Sequence, residues 1–425
     1  MRLARGAAQV DHGRMKAQRS ITLASTAQAA IRRVPASPML RPPRMLGALE
    51  RPGDVFRNLG PNWFASVMGT GIVANAAVLL PVHVPGLRAV AVGVWLLAAT
   101  ILVLLSAATG IHWLRHPEQA RGHHHDPAMA PFYGAPPMAL LTVGAGALLA
   151  GRDIVGLGAA VRIDEILWTL GTVAGLLSTV AIPYLVFTEY KLELRDTYAT
   201  WLMPVVPPMV SAATGAALIA HLPAGQPRLT LLLALYALFG ISLLASLITI
   251  TLLLGRLAVH GPGPARLIPT LWLVLGPLGQ SITAAGLLGH AASSATRAEY
   301  AGTLHAAGLL YGVPIWGFAM IWLAIAVTIT IRTAREHLPF SLTWWSFTFP
   351  VGTVVTGTSV LAVATHADFL RYASVVLYAL LVAGWLTAAP RTIRGALSGR
   401  LFLPSASPVA IHAVGPMRTS AATAT

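Results

Sequence analysis

Ten apolar segments follow one another from Pro61 to about residue 389, each long enough to cross a hydrocarbon core of about 30 Å. They fall near 62–80, 88–111, 132–150, 163–187, 199–220, 229–255, 269–290, 303–331, 341–365 and 369–389. Backbone polar groups find no water in that core and must pair internally, which segments of this length do as helices. The predicted fold class is therefore an all-α integral membrane protein of ten transmembrane helices, arranged as five hairpins. Composition agrees: 56% of residues are hydrophobic and only 10% charged, against about 25% charged in soluble domains. There is no cysteine, which excludes disulfides, thiol catalysis and thiolate metal sites.

The odd segments share a design that the even ones lack. Each opens on an aromatic residue, Trp63, Phe132, Trp201, Trp272 or Trp344, at intervals of 69, 69, 71 and 72 residues. Five or six residues later each reaches a helix-breaking residue. These are Gly69 with Gly71, Pro136-Pro137, Pro204 followed by Pro207-Pro208, Gly276-Pro277 and Pro350. Even hairpins alone would give the period, but not the shared phase of aromatic and breaker. A proline inside a helix removes a backbone donor and frees a carbonyl. In a bilayer such backbone is tolerated where protein buries it or water lines it. The pattern predicts an inner ring of kinked odd helices around a pathway, with helix kinks at Gly69, Gly71, Pro137, Pro207, Pro277 and Pro350. Pro183 and Pro314, in even segments, are exceptions to it.

Basic residues set the expected orientation. With the N-terminus inside, the inside set holds 23 of the 29 Lys and Arg and the outside loops six. Both termini are then cytoplasmic, and the net charge of +15 reports topology rather than a nucleic-acid partner. Residues 1–57, Arg- and Ala-rich, read as a disordered cytoplasmic tail; a transit peptide, or a true start at Met39 or Met45, fits the same composition. Residues 58–390 form the transporter domain and 391–425 a cytoplasmic C-terminal tail.

The odd segments carry hydroxyls and amides but almost no ionisable group. Candidate pore-lining polar residues are Thr70, Ser211, Thr214, Gln280, Thr353 and Thr356. Taken singly, each is better explained by hydrogen bonding that holds helices together. A neutral, hydroxyl-lined path suits small anions better than a carboxylate-driven cation pump. Asp164 and Glu165 are expected at the start of the fourth helix, where carboxylates favour a helix N-terminus. His123, His124 and His125, with His112 and His116, read as a solvated loop run rather than a metal site. No nucleotide-binding or hydrolase motif is present, so neither a catalytic residue nor a cofactor is expected.

The stretches Gly60-Pro61-Asn62-Trp63-Phe64-Ala65-Ser66-Val67-Met68-Gly69-Thr70-Gly71-Ile72 and Trp344-Trp345-Ser346-Phe347-Thr348-Phe349-Pro350 resemble the tellurite-resistance/C4-dicarboxylate transporter family. That family includes the yeast malate permease, the fungal sulfite efflux pump, bacterial tellurite-resistance proteins and plant slow-type anion channels. The resemblance covers roughly residues 57–390. It implies a quasi-fivefold barrel, the odd helices lining an anion pore, often a homotrimer with one pore per subunit. It also implies that Phe349 plugs the pore and moves to open it. C4-dicarboxylate (malate) or sulfite is the expected cargo, with tellurite resistance or chloride and nitrate conduction as the alternative. The rival from another class is a non-transporting membrane scaffold or sensor, for which the centre should be packed solid.

Overall fold

The computed structural model describes residues 45–190 and 192–403. The unit beginning at Ala48 holds everything below; of the preceding unit, Met1–Gly47, only the last three residues are described. The predicted tail up to residue 44, and residues 404–425, lie outside the described residues.

Among the described residues, nine helices are long and apolar enough to cross a membrane. Spans 1 to 4 are Pro61–Leu79, Leu87–Arg115, Ala130–Val155 and Leu157–Thr188. Spans 6 to 10 are Gln226–His260, Ala265–Ala295, Ala298–Glu336, Leu342–Thr365 and Asp368–Ser398. Span 5 is present but broken, into Ala199–Leu202, Pro207–Gly215 and Ala216–His221. Pro204, Pro207 and Pro208 explain the break, since none can donate to a preceding turn. The carbonyl of Pro204 accepts the Thr179 hydroxyl of span 4 at 2.8 Å, so the irregular backbone is satisfied by a neighbour.

Odd and even spans occupy different layers. In their most apolar windows, spans 1, 3, 7 and 9 are 83, 67, 89 and 78% buried, whereas spans 2, 4, 6, 8 and 10 are 22 to 28% buried. Span 1 packs on span 3, 3 on 5, 5 on 7, 7 on 9, and 9 back on 1, a closed cycle of inner helices. Each even span lies against the odd span before it and the odd span after it, span 10 reaching span 1. An outer helix needs an apolar surface toward lipid, and residues such as Val103, Val180, Leu244 and Ile321 supply it.

Each inner span opens with a 3-10 turn that contains its lead aromatic residue: Pro61–Phe64, Ala130–Gly134, Ala199–Leu202, Ala265–Val274 and Leu342–Phe347. The prolines do not interrupt a continuous α-helix. Pro136 and Pro137, Pro207 and Pro208, and Pro350 stand in the first turn of the α segment that follows. There the missing N–H would have had no partner in any case, so the cost of an interior proline is avoided. Indole N–H groups of outer helices reach the inner ones: Trp95 donates to Val143 O, Trp168 to Ser211 O and Trp322 to Leu271 O, at 2.9 to 3.0 Å.

Four boundaries differ from the sequence expectation. The tail expected to reach residue 57 already holds a 3-10 helix, Pro52–Phe56, and the Phe56 carbonyl is hydrogen-bonded to the His112 ring at 2.7 Å. Span 10 runs through Pro390 to Ser398, and Phe402 then stacks on Trp63 at 4.8 Å, so residues 391–403 are ordered rather than tail. His123, His124 and His125 close a short helix, Pro117–His125, instead of a solvated loop; His123 stacks on His112 and His124 on Tyr133. Span 4 begins at Leu157, which places Asp164 two turns inside the helix, fully buried, rather than at its N-terminus.

Candidate functional site

The centre of the inner cycle is neither solid nor open. Toward the C-terminal ends of the odd spans lies a cavity of about 370 Å³ to which all five contribute, among them Asn75, Ala145, Thr214, Gln280, Thr283 and Thr356. Toward their N-terminal ends, between spans 1, 3 and 9 and the Arg400–Phe402 segment, lies a second cavity of about 490 Å³. Its walls include Asn62, Gln119, His123, Asp126 and Arg400.

Between the levels of these two cavities stands an apolar collar, again with a contribution from every odd span. It consists of Met68, Met138, Leu202, Met203, Val206, Leu273, Gly276, Pro277, Phe349 and Pro350, around a void of only about 20 Å³. Phe349 is buried, 3% exposed, as are Met68 and Met138. The α segments of spans 5, 7 and 9 begin at this level, at Pro207, Leu275 and Phe349.

Among the described residues, no Asp, Glu, Lys or Arg lines the 370 Å³ cavity or the collar, and His290 is the one ionisable side chain on the cavity wall. The polar contribution is hydroxyl and amide. Thr283 and Thr356 share a hydrogen bond of 2.8 Å across spans 7 and 9, and Thr214 donates to Val210 O at 2.9 Å. The Asn75 side-chain amide donates to Thr142 O at 3.0 Å. That carbonyl and Val143 O, the acceptor of Trp95, lie just ahead of a π turn, Ala147–Gly151. Val143 O also accepts the Ala147 N–H, so the Trp95 indole is a second donor to it at the start of the π turn.

The sequence-derived residues divide into two groups. Thr214, Gln280 and Thr356 line the cavity, and Phe349, Pro277 and Pro350 the collar. Thr70 instead accepts the Trp385 indole of span 10 at 3.1 Å, and Ser211 accepts Thr172 of span 4 at 2.9 Å. Thr353 donates to Pro350 O and lies against Leu275 O and Gly276 O of span 7. Gly69 fits beneath Thr348 and Trp345 of span 9, and Gly71 beside Thr142 of span 3. Pro137 and Pro207 pack toward Gly175 of span 4. These seven hold the helices together and do not line either space. Met68 and Met138, which complete the collar, were not singled out by sequence, although each adjoins a residue that was.

A family model for the voltage-dependent anion channel matches residues 58–393, nearly the whole of the described body. The chain belongs to that family. Curated relatives cover it along most of its length. An uncharacterized transporter of Methanocaldococcus jannaschii is 26% identical over 84% of this chain and 99% of its own. The sulfite efflux pump of Trichophyton rubrum is 26% identical over 81% of this chain and 92% of its own. That of Arthroderma otae is 29% identical over 71% and 81%. As a member of the voltage-dependent anion channel family the chain is a multi-pass anion transporter or channel.

Proposed function

We propose that the chain passes small anions along the axis of the inner five spans, and that the described conformation is closed at the Phe349 collar. The observation that carries this reading is the uncharged collar, built by all five odd spans, between a largely apolar cavity with a few hydroxyl and amide groups and a more polar one. A scaffold would need no such space, and the 370 Å³ cavity speaks against a solid centre. Sulfite is favoured as cargo because several relatives are sulfite efflux pumps; a C4-dicarboxylate such as malate is the second candidate, and tellurite, chloride or nitrate a third. Movement follows the electrochemical gradient, without a cofactor or a nucleotide. We further propose the cell membrane as the location, both termini in the cytoplasm, and a homotrimer with one path per subunit.

Opening requires the Phe349 ring to leave an apolar slot, which forfeits about 1.5–3 kcal/mol of burial, equivalent to roughly 10- to 150-fold in rate. In proteoliposomes, Phe349→Ala is therefore expected to pass sulfite, malate, chloride or nitrate faster than wild type by about that factor. The order of the four anions names the cargo class. Equal flux in the two proteins would remove the gate while leaving the transporter. No flux of any anion through either folded protein would remove the transport reading.

A further inference from the structure

Asp164 is a titratable group in the membrane body with no role in the path described above. It is 0% exposed, and neither of its carboxyl oxygens has a hydrogen-bond partner. Span 3 makes room for it at Gly144, where an added Cβ would lie 2.7 Å from Asp164 Oδ1. On its own helical face it is flanked by Ala160 and Trp168, which pack with Leu148, Leu218 and Leu231 of spans 3, 5 and 6.

No cation compensates it. On its own helix, Glu165 is a like charge and pairs with the exposed Arg162 at 3.6 Å. On span 3 the charged residues are Arg152 and Asp153, at its C-terminal end eight residues or more beyond Gly144, and Asp153 is held by Arg88; Tyr133 stands at the opposite end. Span 5 brings only His221, exposed at its end. Span 6 brings Arg228, which is turned toward the carbonyls of Ala220, Leu222 and Ser294. An ionised carboxylate cannot remain in such a place without water or a counter-ion. Such surroundings suit the neutral acid.

We infer that Asp164 is a proton-binding site whose occupancy sets the shape of the anion path, a proposal that rests on the transport reading above. The mechanical link is short. Gly144 faces Asp164, while the next residue, Ala145, and Leu148 line the 370 Å³ cavity, and the π turn Ala147–Gly151 follows directly. A π turn inside an α-helix is a local irregularity of the kind found at functional sites. When Asp164 releases its proton to water, the carboxylate must acquire hydration, and the seam between spans 3 and 4 opens to admit it. The cavity wall moves with that seam. Protonation holds the closed arrangement and proton loss releases it, so flux rises with pH.

Two readouts test this on the purified full chain. Infrared difference spectra recorded through a pH titration should contain the band of a neutral carboxyl group that disappears at high pH in wild type and is missing in Asp164→Asn. Nitrate flux into proteoliposomes, chosen because nitrate is the anion of a strong acid and does not titrate in this range, should rise with pH in wild type by up to about tenfold per unit, the limit for one proton. Asp164→Asn, which mimics the neutral acid, should stay at the low-pH level throughout. A wild-type flux independent of pH, an Asn variant that keeps the wild-type slope, or spectra without an Asp164 band would each overturn the proton site. Absence of flux in wild type beside a clear Asp164 band would instead overturn the transport reading and the coupling with it, while keeping the buried proton.

Discussion

Phe349 and Gln280 show how differently two residues of the inner spans are read. Gln280 is buried, 4% exposed, on the cavity wall. An amide that hydrogen-bonds a passing anion contributes about 1.5–3 kcal/mol, so Gln280→Leu is expected to lower anion flux by roughly 10- to 100-fold, with the loss greatest for oxyanions; an unchanged anion series in proteoliposomes would remove Gln280 from the path. Both residues were legible from sequence, Gln280 as a rare polar group in an apolar inner helix and Phe349 through the motif around Pro350. Thr70 and Ser211 were equally polar and equally placed by segment, yet turn toward the Trp385 indole and the Thr172 hydroxyl of outer helices. Segment membership does not fix the direction of a side chain around an inner helix, which has protein on every side and hence no apolar stripe to orient it. Asp164 was misplaced for a related reason: the start of its helix lay six residues earlier than hydropathy marked it.

At the scale of the helix, the alternation of inner and outer spans was the most legible feature. It followed from the phase of aromatic and breaker, which the structure explains as a 3-10 turn handing over to an α segment. What sequence could not supply was where glycine permits backbones to touch. At Gly279 a Cβ would overlap the Thr353–Val354 peptide of span 9, so spans 7 and 9 are held at contact there. Gly279→Val should cost about 1–3 kcal/mol through overpacking, visible as a lowered unfolding temperature in detergent, whereas the same change at Gly240, with open space around it, should be nearly silent. The short helix Pro117–His125 makes a second case. Burial pushes the His123 and His124 imidazoles below the ordinary histidine range. Below the unfolded value of about 6.5 the unfolded chain binds more protons than the folded one, so stability falls as pH drops through that value toward the folded ones. Thermal stability should decline on acidification through this range, and a His123→Gln, His124→Gln double variant should decline less.

For the whole molecule, orientation and assembly are open to direct measurement because the chain contains no cysteine. A single Ser294→Cys, at the rim of the 370 Å³ cavity, should react with a membrane-impermeant maleimide added outside intact cells. Arg400→Cys, beside the other cavity, should react only after permeabilisation, and the reverse pattern would invert the proposed topology. The apolar collar has one further consequence. Its void of about 20 Å³ has room for one water molecule at most, and apolar voids of that size stay dry. On the proposed path, a continuous file of water along which protons could hop is therefore interrupted at Phe349. A bilayer crowded with closed copies of this chain would remain an electrical insulator, so a cell could keep such a wide-mouthed protein in its membrane without discharging the potential that other transporters depend on.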